Sequence, residues 1–243
     1  MKVGKMVSFS IDGKKIKAEE GTMLLDIARQ HGVEIPTFCT HEAVSRTGSC
    51  RLCVVEVRQG TRSKIVASCM YPVSEGIVVD TKTERVLNVR RLVLQLLMAR
   101  CPESDILKEM ANEMGIEPEP RFKPDTDKGN CILCRLCVRV CEETVGVSAI
   151  GSSYRGPGKS VGPPFMENSK ACIACGACAY VCPTQHIVME STDDSKRKIW
   201  GRTFKMQACD KCGRYFAPVD QLKFISNTAG VPLSELHTCP SCR

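Results

Sequence analysis

The chain has 243 residues, of which 43% are hydrophobic, 25% charged and 5% aromatic, with a formal net charge of +7 and 17 cysteines. That length allows one to three domains, while the cysteine count excludes an ordinary cytosolic core and is spread too widely for a short secreted disulfide scaffold. The longest apolar run, Leu92–Ala99, is interrupted by Gln95 and too short to span a bilayer, so no direct membrane insertion is expected. The opening M-K-V-G-K-M-V-S-F-S carries no secretory pattern, which with the grouped cysteines leads to the expectation of reduced thiols and a cytoplasmic location.

Residues 5–16 alternate about Asp12-Gly13 and predict a β-hairpin of V-S-F-S-I and K-K-I-K-A. Gly21-Thr22 is expected to cap a helix over M-L-L-D-I-A-R-Q-H, which Gly32 ends. A loop with Cys39, Cys50 and Cys53 follows, then V-V-E-V, a Q-G turn, and K-I-V-A-S-C-M with Cys69. Hairpin, helix, cysteine loop and returning strands together resemble the β-grasp of [2Fe–2S] ferredoxins. A Cys-rich zinc loop is the plainer alternative.

The spacing here is C-x10-C-x2-C-x15-C, whereas the plant-type pattern has four residues in its first gap. With G-S-C-R-L-C-V-V-E-V and E-I-P-T-F-C, it resembles the N-terminal iron–sulfur region of the large peripheral subunit of respiratory complex I and the diaphorase subunits of NAD-linked hydrogenases. Gly48 is expected in the loop because backbone amides must approach the cluster closely. The iron–sulfur subunit of succinate dehydrogenase or fumarate reductase, a neighbouring alternative, has similar length and domain order, but its short first gap does not match the ten residues between Cys39 and Cys50. Residues 82–115 predict two helices broken at Cys101-Pro102. The family usually carries an extra cluster there on a histidine and three cysteines. Only Cys101 is present, so that cluster is expected to be absent and Cys101 to be a buried thiol. A polar, Pro-rich linker follows.

Cys131, Cys134, Cys137 and Cys141 recur 41 residues later as Cys172, Cys175, Cys178 and Cys182. C-x2-C-x2-C-x3-C is the run that feeds two [4Fe–4S] clusters, its fourth cysteine serving the other cluster. The expected sets are Cys131, Cys134, Cys137 with Cys182, and Cys172, Cys175, Cys178 with Cys141. Zinc sites or disulfides are the alternative. C-V-R-V-C-E-E-T-V-G and G-A-C-A-Y-V-C-P-T strengthen the same family resemblance, although Glu142 stands where the second half has Pro183. Between the halves, G-K-S lacks the first glycine of a phosphate loop, and a glycine-rich hairpin is expected. After S-T-D-D-S-K-R-K, the pairs Cys209/Cys212 and Cys239/Cys242 have the spacing of a four-thiolate site. It resembles zinc ribbons and rubredoxins. Zinc is expected; a single iron or a further cluster is the alternative. His237 is a candidate to replace one thiolate, and His31, His41 and His186 are expected to be packed or solvated.

The expected fold is α+β: a [2Fe–2S] β-grasp domain (1–81), a helical linker (82–124), a two-[4Fe–4S] ferredoxin domain (125–195) and a zinc-ribbon or rubredoxin-like module (196–243). Ligating thiolates offset the +7, since four loaded sites would bring about −8. That weakens a nucleic-acid reading, which is retained only as a remote metal-dependent regulatory alternative. The resemblance implies an electron-transfer subunit with no catalytic site of its own, docked to a flavin- and NAD(P)-binding iron–sulfur subunit. Catalytic hydrogenase subunits are the expected further partner, with ferredoxin added if the complex bifurcates electrons. Equivalent subunits of formate dehydrogenase or transhydrogenase complexes are the alternative.

Overall fold

A computed structural model describes residues 5–127 and 129–243. Residues 1–4 of the opening stretch, on which the expectation of no secretory pattern partly falls, and Lys128 of the linker lie outside the described residues. The chain parts into two compact units between Cys134 and Arg135.

In the first unit, β1 (Met6–Ile11) and β2 (Lys14–Glu19) form the expected hairpin. Its alternation buries Val7, Phe9, Ile11, Ile16 and Ala18, while Asp12 and Gly13 turn with φ of 47° and 79°. Helix α1 (Leu24–Gln30) packs Leu24, Leu25, Ile27 and Ala28 against them. It starts one residue later than expected, on Met23 and without a side-chain cap. The backbone there is already engaged: Val73 N donates to Thr22 O at 2.8 Å and Leu24 N to Tyr71 O at 2.9 Å. β3 (Val54–Gln59), β4 (Arg62–Ala67) and β5 (Val78–Asp80) complete a sheet ordered β2-β1-β5-β3-β4. Only β1 and β5 run parallel, which is β-grasp topology.

Helices α2 (Glu84–Arg100) and α3 (Asp105–Glu113) break at Cys101-Pro102 as read. Thr83 caps α2 by accepting from Val86 N at 3.3 Å, and its hydroxyl donates to Glu56 of β3 at 2.7 Å. Glu56 also bonds Ser63 and Arg85, so one buried carboxylate ties the helix start to two strands.

The second unit opens on α4 (Leu136–Arg139), which runs into a π-turn over Val140–Thr144, and α5 (Ala177–Tyr180) is its repeat partner. Backbone conformation follows the 41-residue offset. Leu133 and Ala174 have φ of 57° and 55°, and Arg135 and Gly176 have 62° and 83°. Both cysteine loops therefore turn the same way. Between them, β6 (Gly151–Ser153) and β7 (Ser160–Gly162) pair as the expected glycine-rich hairpin, with the G-K-S leading into β7. The polar run 191–198, expected to lead into the tail, instead lies within a hairpin of β8 (Met189–Asp193) and β9 (Lys196–Ile199). With β10 (Arg202–Ala208) and β11 (Tyr215–Pro218) it makes a sheet ordered β11-β10-β9-β8, followed by α6 (Val219–Ala229). This sheet runs across position 195 without a break. Among the described residues, no helix is long and apolar enough to cross a membrane.

Candidate metal centres

Cys39, Cys50, Cys53 and Cys69 are each no more than 5% exposed. The β3–β4 register pairs Val54 with Ala67, which brings Cys53 opposite the short turn carrying Cys69. Ser68 fixes that turn, donating to Cys53 O from both its amide and its hydroxyl, at 3.0 and 2.8 Å. The loop carrying Cys39 and Cys50 is held by Arg46, which bonds the Asp26 carboxylate of α1 at 2.6 Å and reaches Cys69 O at 3.5 Å.

The four thiols couple as two pairs. Hydrogen bonding from Cys39 draws Cys50 down to about 5, and that from Cys69 draws Cys53 down to about 6. Cys39 and Cys69 rise correspondingly as the proton-holding members, helped by burial. Backbone N–H groups point at the sulfurs: Phe38 N to Cys50 at 3.5 Å and Cys50 N to Cys39 at 3.4 Å. A Cβ on Gly48 would meet Met70 Cγ at 3.0 Å and Cys69 Sγ at 3.9 Å, and its φ is +60°. Two thiol pairs ringed by N–H donors fit a two-iron group, one pair to each iron. Arg90 of α2, missed in the sequence, is buried with its charge toward Cys53 and bonds Val54 O at 2.7 Å.

In the second unit, Cys141, Cys172, Cys175 and Cys178 line one small cavity. Its other walls are nearly all apolar, including Val145, Ile150 and Ile173. Burial pushes Cys178 up to about 11, and raises Cys141 and Cys172 as well; in each case facing thiols of the set add to the rise. Neutral thiols are thus favoured until a cation arrives to hold them as thiolates. Ala149 N donates to Cys141 Sγ at 3.3 Å, as cluster sulfurs require. The donor set and apolar walls fit a [4Fe–4S] group. Ile199 and Trp200, from β9 and the turn after it, also line this cavity. Trp200 is the chain's one tryptophan, a signal the sequence offered that cysteine spacing did not use. Cys131 and Cys134 end the first unit while Cys137 and Cys182 lie in the second, so the grouping of these four rests on the spacing and the repeated loop geometry.

The tail cysteines Cys209, Cys212, Cys239 and Cys242 bring their sulfurs within 4.8 Å of one another. Cys212 and Cys239 stand 3.9 Å apart. Four thiolates at about 2.3 Å from one tetrahedral ion are about 3.8 Å from each other. A cube gives each thiolate a different iron and needs wider spacing, so the geometry fits a single ion. Backbone N–H groups, Cys239 N at 3.3 Å foremost, draw Cys209 down to about 6. His237 is outside this foursome; its Nδ1 is 3.9 Å from Asp210. Cys101 is 1% exposed, and burial pushes it up to about 12, as a packed thiol behaves.

Residues 4–84 match the family described as "2Fe-2S iron-sulfur cluster binding domain", and residues 167–185 match "4Fe-4S binding domain". Both halves of the molecule thus define an iron–sulfur protein. The NADP-reducing hydrogenase subunit HndD of Solidesulfovibrio fructosivorans is 34% identical over 75% of this chain and 36% of its own length. The NADPH-Fe(3+) oxidoreductase subunit alpha of Geobacter sulfurreducens is 32% identical over 85% of this chain and 27% of its own. A chain in the crystal structure of an NAD+-reducing [NiFe]-hydrogenase in the H2-reduced state superposes with a TM-score of 0.57 at 30% identity, covering 65% of this chain and 74% of that one. The chain belongs to the family of iron–sulfur subunits of NAD(P)-linked hydrogenases and complex I-like oxidoreductases. It spans about a third or less of the length of the two curated relatives described.

Proposed function

We propose that this chain is the electron-relay subunit of an NAD(P)-linked oxidoreductase, with a hydrogenase as the second redox site. Cys39, Cys50, Cys53 and Cys69 would hold a [2Fe–2S] group. Cys131, Cys134, Cys137 with Cys182, and Cys172, Cys175, Cys178 with Cys141, would hold two [4Fe–4S] groups. Cys209, Cys212, Cys239 and Cys242 would hold a structural zinc in a ribbon-like module. When bound, such clusters take up and release single electrons. The protein's part is to hold the thiolates, exclude water and aim N–H donors at the sulfurs.

The observation that supports this most is that Cys141 lines the same cavity as Cys172, Cys175 and Cys178. Thirty residues of chain separate Cys141 from Cys172, and the crossed ligand pattern of a two-cluster relay requires that meeting. Electrons would enter from a flavin- and NAD(P)-binding partner and leave toward hydrogenase subunits, with ferredoxin as a further partner in a bifurcating form. Reduced thiolate sites of this number suit the cytoplasm. The test is reduction of the isolated, anaerobically loaded chain. Dithionite should bleach its cluster absorbance and NADH should not, until a flavoprotein partner is added. Rapid reduction by NADH alone would require a nucleotide site in this chain and overturn the relay.

A further inference from the structure

Two buried donor atoms without partners come from beyond the cysteine repeat, one on Trp200 in the wall of the Cys141 cavity and one on Arg197 in an adjoining pocket that shares Cys175. Trp200 follows β9, and its indole Nε1 is buried with no hydrogen-bond partner of good geometry. It lines the same cavity as Cys178. Arg197, on β9, donates from one terminal nitrogen to Ala174 O at 2.9 Å, inside the loop between Cys172 and Cys175. Its Nε is likewise buried without a partner, and Arg197 lines one pocket together with Cys175. Buried donors left unpaired are costly, so both are placed against their local preference. The turn itself makes the point: Trp200 sits at φ +53° and Gly201 at +71°, and the first of these positions usually holds Asn, Asp or Gly.

We infer that Trp200 and Arg197 are positioning residues that raise the reduction potential of the group held by Cys141, Cys172, Cys175 and Cys178, through an indole N–H in the wall of that cavity and a half-buried cation beside Cys175. The inference rests on that proposed ligand set. Reduction adds an electron to the site, and donors or positive charge near its sulfurs favour the more negative state. Both groups come from the sheet that continues into the four-cysteine tail, so the tail's fold sets the electronics of a cluster it does not ligate. The cluster held by Cys131, Cys134, Cys137 and Cys182 would be tuned by other groups, and the two otherwise similar clusters would separate in potential.

The test is a redox titration followed by electron paramagnetic resonance on the full, cluster-loaded chain. Trp200→Phe and Arg197→Met should each lower the midpoint of one [4Fe–4S] group, leaving the other, the [2Fe–2S] midpoint and the iron content as in the unmodified chain. Arg197→Lys should restore most of the shift. Because there is one tryptophan, labelling its indole with nitrogen-15 is unambiguous. Pulsed resonance of the unmodified, reduced chain should show that nitrogen coupled to one cluster. Unchanged midpoints at full iron content, equal shifts in every cluster, or no nitrogen coupling would each overturn the inference while leaving the ligand sets standing. A chain that loads only one [4Fe–4S] group, or whose Cys141→Ser variant keeps both, would overturn the ligand set and the inference together.

Discussion

Gly48 shows how backbone geometry and site chemistry meet at one residue. A side chain there would be forced to a positive φ and pressed onto Met70 beside Cys69. Gly48→Ala should cost about 1–2 kcal/mol from the left-handed conformation. It should also reduce [2Fe–2S] loading, which denaturant titration and visible circular dichroism would measure together. Glu56 makes a pH prediction. Hydrogen bonds from Ser63 and Thr83, and then the Arg85 charge, hold its carboxyl below the usual value. A depressed carboxylate stabilises the fold above its unfolded value and loses that contribution as pH falls through the folded one. The stability difference between the native chain and Glu56→Gln should therefore be flat at neutral pH and shrink below about 4.5. A difference that grows on acidification would contradict the assignment. At this scale the meeting of Cys141 with Cys172, Cys175 and Cys178, and that of the four tail cysteines, were legible, because metal chemistry fixes their spacing. The places of Arg90, Arg197 and Trp200 beside the cysteines were not, since they lie on elements outside the cysteine motifs that fold against them.

Elements with strong local signals were read correctly from the chain. The β1–β2 hairpin announced itself through alternation and an Asp-Gly turn, and α2 and α3 through length and the Cys101-Pro102 break. β5 was not foreseen, because three residues cannot show a period and its parallel pairing with β1 is a long-range choice. The β8–β9 hairpin was hidden for another reason: its residues are largely polar, so it looks like a linker until β10 pairs with it. Thr83 links cap and sheet, so Thr83→Ala should destabilise the first unit by about 1 kcal/mol, the usual worth of a cap. Leaving Glu56 a partner short would push the loss higher, and a loss near zero would show that the cap is redundant. In the tail, Cys209→Ser should release one metal equivalent and loosen the β10–β11 region toward rapid hydrogen exchange, because a structural ion supplies folding energy to a small module. Elemental analysis that finds iron rather than zinc at this site would change the metal, with the geometry kept.

For the whole molecule, the four proposed sets of four cysteines would account for 16 of the 17 thiols, with Cys101 buried as the remainder. The division of labour is legible in where these sets fall. The first lies in a β-grasp sheet and the last in the C-terminal sheet, and the repeat between them supplies the rest. Crossed ligation makes a specific demand: Cys141→Ser should damage the cluster of Cys172, Cys175 and Cys178 and spare that of Cys131, Cys134 and Cys137. Spectroscopy showing the opposite loss would reverse the assignment. The central claim, that one chain holds a two-iron group and two four-iron groups, is tested most directly by counting. Iron and acid-labile sulfide should be measured per chain on anaerobically purified, fully loaded protein, with zinc determined on the same sample. The account predicts about ten irons, about ten sulfides and one zinc; a count near four irons would contradict it.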